Sequence, residues 1–299
     1  MTERRDETPD VKRWLANHWN ATRLEPEHGN CPECGRQNIE FSIWRLRDGT
    51  IKKYKNCPDC AVKYEVEREA EEKAERSADM PRRRHRARGA IGIPPRFMNK
   101  DFSNFDKGRS KEIDTAFTEC WQYAEEYPIG KKVEGYRSLY LYSNSSWGVG
   151  KTHLSCAIAH RILDRWQDVD TACPRIRWVS EPTLFSKIEA SFNYTWEDKQ
   201  ILPNKEDIIN DLIETDLLIL DDVGKEKRQD PRFVQRTLFA IINGRYDRDY
   251  PMVITANLSP SLLKGHLGTG GTDEASYDRW LEMCRSKRVP MDGVSYRRE

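Results

Sequence analysis

In the run Ser145-Ser-Trp-Gly-Val-Gly-Lys-Thr152, residue types and spacing point most directly to chemistry. Gly148 and Gly150 permit a turn whose backbone N–H groups point inward, and such a nest at the start of a helix takes a phosphate group. Lys151 is then placed to reach the β- and γ-phosphates of a nucleoside triphosphate, and the Thr152 hydroxyl to ligate a magnesium ion. The expected nucleotide contacts are Ser145, Ser146, Trp147, Gly148, Val149, Gly150, Lys151 and Thr152, with ATP as ligand. Two residues depart from the G-x-x-x-x-G-K-[ST] pattern: Ser145 stands at its first glycine and Trp147 brings a bulky side chain into the loop, either of which can strain the backbone or weaken affinity.

The flanking sequence supplies the elements that such a loop requires. Leu139-Tyr-Leu-Tyr142 reads as a strand, and from Thr152 to Trp166 the residues Leu154, Ala157, Ile158, Ile162 and Trp166 recur at helical spacing. A chance Gly-Lys-Thr in a surface turn would have neither flank. Downstream, Leu217-Leu-Ile-Leu220 is the continuous apolar run of a strand buried on both faces, and it ends in Asp221 and Asp222. Asp221 is expected to hold the magnesium ion, and Asp222 to polarise an attacking water as general base, because successive residues at a strand end point in different directions. Met252-Val-Ile-Thr-Ala-Asn257 reads as a further buried strand, and its terminal Asn257 either orients water near the γ-phosphate or caps a turn. These features describe a P-loop NTPase.

Cysteine spacing carries a second chemistry. Cys31-Pro-Glu-Cys34 and Cys57-Pro-Asp-Cys60 are paired Cys-x-x-Cys turns, each able to present two thiolates to one ion. Between them Ile39-Glu-Phe-Ser-Ile-Trp44 and Ile51-Lys-Lys-Tyr54 flank Asp48-Gly49, a hairpin turn, so a zinc ribbon is expected. Redox-active or merely structural thiols are the competing reading. Cys120, Cys156, Cys173 and Cys284 lack such partners and read as ordinary buried or partly buried residues.

At 299 residues the chain accommodates one sizeable α/β core and a smaller attachment. With 33% charged residues but a formal net charge of only +1, overall balance gives no sign of a nucleic-acid partner, and any basic surface must be local. A polar amino terminus and the lack of a long apolar run lead to the expectation of a cytoplasmic protein without a membrane partner. Residues 10–20 place Val11, Trp14, Leu15, His18 and Trp19 on one helical stripe, for packing on the ribbon or for a partner protein. The organisation expected is a zinc-ribbon, partner-binding domain over 1–64, a charged helical and basic linker over 65–90, and an ATPase domain over 91–299. Within the linker, Arg82-Arg-Arg-His-Arg-Ala-Arg88 reads either as a phosphate-neutralising cluster or as a solvated face. Phe192, Tyr194 and Trp196 are either stacking platforms for single-stranded bases or core.

From about Ile91 to Arg297 the chain resembles the AAA+ helicase loaders of bacteria and phages, the DnaC and DnaI group, with IstB-type transposition ATPases as relatives. The resemblance is carried by Gly-Ile-Pro-Pro-Arg-Phe (92–97), Trp-Gly-Val-Gly-Lys-Thr-His-Leu (147–154), Asp-Leu-Leu-Ile-Leu-Asp-Asp-Val-Gly (216–224), Ile-Thr-Ala-Asn-Leu-Ser (254–259) and the tail. It implies an α/β fold, a parallel sheet flanked by helices, and a nucleotide site shared between subunits of an ATP-dependent oligomer. By resemblance Asn257 falls on the sensor asparagine, Arg279 on the arginine finger and Arg297 on the second sensor arginine; such arginines stabilise charge on a transferred phosphoryl group. The resemblance also implies a hexameric replicative DNA helicase and single-stranded DNA as partners. The paired cysteines favour a loader, whose DnaI type is similar in carrying an amino-terminal zinc module. An IstB-like transposition ATPase, and a zinc-ribbon nucleic-acid adaptor with a structural nucleotide, are the alternatives.

Overall fold

The computed structural model describes residues 21–144, 147–225, 231–268, 275–285 and 287–296. The stripe read over residues 10–20, Ser145, Ser146, Thr269 to Gly271 and Arg297 lie outside the described residues. The chain divides into two compact units, one ending at Ala78 and the other beginning at Asp79.

In the first unit, the antiparallel strands β1 (Thr22–Arg23), β2 (Glu27–Gly29), β3 (Ile39–Arg45) and β4 (Ile51–Asn56) are organised by β3, which pairs with the other three. The β3–β4 turn forms at Asp48-Gly49, where Gly49 takes a φ of 85° and the Asp48 carboxylate accepts the Thr50 N–H at 2.9 Å. Helix α1 (Pro58–Ala78) follows. It begins seven residues before the charged run that signals it, because Pro58 suits a first helical position and Asp59 faces the positive helix end. Beyond its first turn α1 has no buried side chain, Val62 and Val66 being exposed, and it is laced by surface pairs such as Arg68 with Glu72 at 2.6 Å.

The second unit opens with helix α2 (Met80–Ala90), so the stretch read as a linker over 65–90 is divided at residue 79 between the two units. Its basic cluster is largely committed to packing. The Arg83 guanidinium lies 4.9 Å from the Trp166 ring, Arg84 donates to the Trp166 carbonyl at 3.3 Å, and Arg88 pairs with Asp164. Arg82 and Arg86 remain exposed.

Strands β5 (Leu139–Tyr142), β6 (Ile176–Ser180), β7 (Leu217–Val223), β8 (Met252–Ala256) and β9 (Arg288–Pro290) form a five-stranded parallel sheet in the order β6-β7-β8-β5-β9. The helices are α3 (Lys111–Glu126), α4 (Lys151–Arg165), α5 (Glu181–Phe192), α6 (Asp198–Ile201), α7 (Lys205–Glu214), α8 (Pro231–Tyr246), α9 (Pro260–Leu267) and α10 (Ala275–Met283). Successive strand residues face opposite sides, and in β5, β7 and β8 both sides are buried almost throughout, which is why these three read as unbroken apolar runs. Leu139, Leu141, Leu217, Ile219 and Val253 meet Ile113, Leu154 and Ile158 of α3 and α4. Tyr140, Leu218, Leu220 and Ile254 meet Phe185, Leu238 and Trp280 of α5, α8 and α10.

A buried arginine is among the charged side chains enclosed in this unit. Arg245 of α8 is fully buried and donates to the backbone carbonyls of Leu212, Ile213, Thr215 and Pro251 at 2.6–3.1 Å, and of Asp216 at 3.4 Å. It thereby satisfies the free carbonyls at the end of α7 and at the entry to β7, the strand that carries the acid pair. Among the described residues, no helix is long and apolar enough to cross a membrane.

Candidate functional site

The sheet order decides which side chains meet. β8 lies between β5 and β7, so the residue after β8, Asn257, stands between the glycine-rich loop after β5 and the acids that end β7, at the carboxyl edge of the sheet. Lys151, the first residue of α4, donates from Nζ to Asn257 Oδ1 at 2.7 Å and to Ser143 Oγ at 2.6 Å. Thr152 donates from Oγ1 to Asp221 Oδ2 at 2.9 Å, and Thr255 of β8 donates to Asp221 Oδ1 at 2.6 Å. The Asp222 N–H donates to Thr255 Oγ1 at 3.0 Å. Lys151 and Asn257 thus belong to one hydrogen-bonded set, and Thr152, Asp221 and Asp222 to a second that starts from the neighbouring residue of the same helix.

Its electrostatics suit an anion and a cation together. Burial lowers the Lys151 amine to about 8, so a buried cation stands short of negative charge. Burial, with Asp222 adding to it, raises the Asp221 carboxyl to about 7. A hydroxyl and a carboxylate in contact, with that carboxylate wanting positive charge, make a donor set that fits a magnesium ion. Asp222 has a φ of 57°, in the left-handed region, beside an irregularity in the β7–β8 pairing between Leu220 and Val223, and it pairs with Lys225 at 2.5 Å.

The glycine-rich loop is braced from outside its own sequence. A Cβ on Gly150, whose φ is 97°, would lie 2.7 Å from Phe105 Cε2, so only glycine fits. The Tyr296 N–H donates to the Gly148 carbonyl at 3.0 Å, its hydroxyl donates to the Asp106 carbonyl at 2.6 Å, and the Arg109 guanidinium lies 4.1 Å from its ring. Asn144, just before the loop, donates its N–H to Asp292 at 3.1 Å. Of these groups Gly148, Gly150, Asp106 and Tyr296 line a cleft of about 560 Å³, together with Arg96, Phe97, Lys100, Trp147, Lys151 and Asn257. Trp147 is 61% exposed at its rim and does not fill the loop.

Thr255, Ser143, Arg96, Lys100 and Tyr296 escape sequence reasoning as site residues. For Arg96 the available signal was its place in the run 92–97. Arg279, on α10, does not line this cleft; its guanidinium lies 5.5 Å from the Phe239 ring and 5.6 Å from the Tyr246 ring, both on α8, and its Nη1 is buried without a hydrogen-bond partner among the described residues. Phe192 and Trp196 are 56% and 73% exposed, so they are not core.

In the first unit, the four sulfur atoms of Cys31, Cys34, Cys57 and Cys60 all lie within 4.8 Å of one another. The Cys31–Cys60 and Cys34–Cys57 separations are 3.6 and 3.4 Å. A tetrahedral ion with bonds of ~2.3 Å requires edges of ~3.8 Å, so the cluster fits zinc. The Cys34 backbone N–H helps to bring the Cys31 thiol down to about 6, while burial pushes the Cys60 thiol up. Cys120, Cys156 and Cys284 are buried and Cys173 partly so, as expected of residues outside the cluster.

Comparison with known proteins places this geometry in a family. The family described as the bacterial DnaA ATPase domain matches residues 98–267. The chain is 29% identical over 226 residues to the chromosomal replication initiator protein DnaA of Wolbachia sp. subsp. Brugia malayi (strain TRS), covering 75% of this chain and 41% of that protein. It therefore spans about two fifths of the length of that relative. Its fold is that of the solved DnaC helicase loader, with a TM-score of 0.50 and 18% identity over 67% of this chain and 100% of that one. The solved DnaI has 23% identity and a TM-score of 0.49, over 68% of this chain and 96% of that one. With the matched residues running from the segment before α3 to the end of α9, the chain belongs to the family of the bacterial DnaA ATPase domain, an AAA+ ATPase fold preceded by a cysteine-bearing unit.

Proposed function

We propose that this chain is a replication-initiation ATPase that places the hexameric replicative DNA helicase on single-stranded DNA. The observation that carries the nucleotide part is the convergence of Lys151, Thr152, Asp221, Asp222 and Asn257 at one sheet edge. The loader part is supported by a fold similar to the whole of the DnaC helicase loader chain, joined to a separate cysteine-bearing unit.

Lys151 and the backbone N–H groups of its loop hold the β- and γ-phosphates, giving up Ser143 and Asn257 as partners for Nζ. Thr152 and Asp221 hold the magnesium ion, which neutralises charge on the phosphate oxygens when bound. Asp222 accepts the proton of the attacking water, and Asn257 orients that water or the γ-phosphate. Because Arg279 lies away from the cleft of its own chain, its part as arginine finger requires a neighbouring subunit, hence self-association on ATP. Arg297, which lies outside the described residues, is assigned as the second sensor arginine by resemblance alone. The exposed Phe192 and Trp196 are assigned to stacking on single-stranded bases. Cys31, Cys34, Cys57 and Cys60 hold zinc and form the helicase-docking unit.

The test is co-elution of the purified chain with the replicative helicase of the same source in the presence of ATP, with a Cys57→Ser/Cys60→Ser variant alongside. Stable co-elution of the wild type, lost in the variant, is the expected result. A folded, zinc-replete wild type that forms no complex overturns the loader reading. Alongside it, Asp222→Asn should bind ATP but turn it over about 10²–10³-fold more slowly than wild type.

A further inference from the structure

The Glu181 side chain is buried, yet it belongs to none of the motifs that define the nucleotide cleft. A carboxylate removed from water is tolerated only with strong hydrogen-bond donors around it. One donor is the Gly224 backbone N–H, 2.6 Å from Oε2. Another is the His266 ring, whose Nε2 lies 2.6 Å from Oε1 and carries the proton if it donates.

The location of these three residues gives the contact its meaning. Glu181 opens α5 directly after Ser180, which pairs with Asp221 across β6 and β7. Gly224 lies two residues beyond Asp222 and closes a turn in which both residues take left-handed backbone angles, with φ of 57° and 87°. A Cβ on Gly224 would collide with Leu258, the residue after Asn257. His266 is the penultimate residue of α9, the helix that begins three residues after Asn257. One carboxylate therefore ties together the connections that leave β6, β7 and β8, and it does so at the backbone of the turn that aims Asp222. Left-handed backbone at a non-glycine residue persists only where its surroundings hold it.

We propose that Glu181 and His266 form a positioning pair that fixes the Asp222–Gly224 turn, and so the direction of the Asp222 carboxylate. The proposal rests on the reading of Asp222 as the general base. The pair touches no reacting atom; its effect is on the fraction of bound ATP for which Asp222 is correctly aimed. Removing the His266 ring takes one donor from Glu181, loosens its hold on Gly224 and misaims Asp222, while the phosphate-holding groups Lys151 and Thr152 stay in place.

The experiment compares wild type, Asp222→Asn, His266→Ala and His266→Gln in the full chain, by steady-state ATP turnover and by equilibrium binding of a fluorescent ATP analogue. His266→Ala is expected to lower kcat about 10–100-fold with KM and analogue affinity within about twofold. His266→Gln, whose amide N–H can donate to the same carboxylate oxygen, should recover most of that loss. Amide hydrogen exchange in the peptide covering 221–225, measured without nucleotide, should be faster in His266→Ala than in wild type. An inactive Asp222→Asn together with a fully active His266→Ala would overturn the pair alone. Loss of kcat and affinity together, without recovery in His266→Gln, would make it a packing contact. An Asp222→Asn variant as active as wild type would overturn the reading of the base and the pair's role with it.

Discussion

In the first unit the main buried cluster comprises Cys31, Ile39, Cys57 and Cys60 beside Phe41, whereas in the second both faces of a five-stranded sheet carry fully buried leucine, isoleucine and aromatic side chains. The described residues of the smaller unit offer little apolar surface to offset the entropy of ordering its strands, so under the zinc-ribbon proposal bonds between the sulfur atoms and an ion would supply most of its stability. The larger unit buries apolar surface on a scale that keeps an arginine and a histidine inside. Each unit should therefore fail under a different insult, and three measurements separate them.

The largest expected effect is from metal removal. A strong chelator should unfold the first unit outright, since structural zinc contributes on the order of 10 kcal/mol or more to such a module, and leave the second unit's cooperative transition in place. Calorimetry together with hydrogen exchange of peptides from residues 31–60 checks this; protection that survives complete removal of zinc would mean that the unit folds on its apolar contacts. The second measurement strikes the larger unit. Arg245→Met removes the donor shared by the carbonyls of the α7 end and the β7 entry, and should cost that unit about 3 kcal/mol in denaturant unfolding without changing zinc content. The smallest effect is a pH dependence. Burial, with the Arg88 guanidinium adding to it, holds the His160 imidazole below its ordinary value of 6.5. The unfolded chain therefore binds a proton first as pH falls through that value, so stability is lost progressively on acidification from pH 7 towards pH 5. His160→Gln should flatten this slope in the second unit's unfolding free energy.

The contrast also explains what could be read from sequence. The strands β5, β7 and β8 were legible because two-sided burial leaves unbroken apolar runs, and the cysteine cluster because ligand spacing is short-range. Edge strands were not: β1, β2 and β9 are two or three residues long, partly exposed, and defined by their partners rather than by their own pattern. The role of Arg82 to Arg88 was open because a run of arginines looks alike whether it faces solvent or, as at Arg83 and Arg84, lies on Trp166. Lys151, Thr152, Asp222 and Asn257 of the cleft, and the buried Asp221 bonded to Thr152, were picked out by spacing along the chain. Ser143, Thr255 and Tyr296 were not, because they reach their partners through the folded structure and obey no local pattern.

The left-handed backbone at Asp222 narrows what evolution can place there. Asparagine, aspartate and glycine adopt that conformation with little penalty, while longer or branched side chains cost roughly 1 kcal/mol or more. Of the residues that tolerate it well, aspartate alone carries a charge. A glutamate would meet the backbone penalty and also carry its carboxylate one methylene further out, so the short reach of this acid is inherited from the turn beneath it. Drift at this position is then confined to changes that abolish the charge altogether, and the neighbouring Gly224, pressed against Leu258, has almost no room to drift with it.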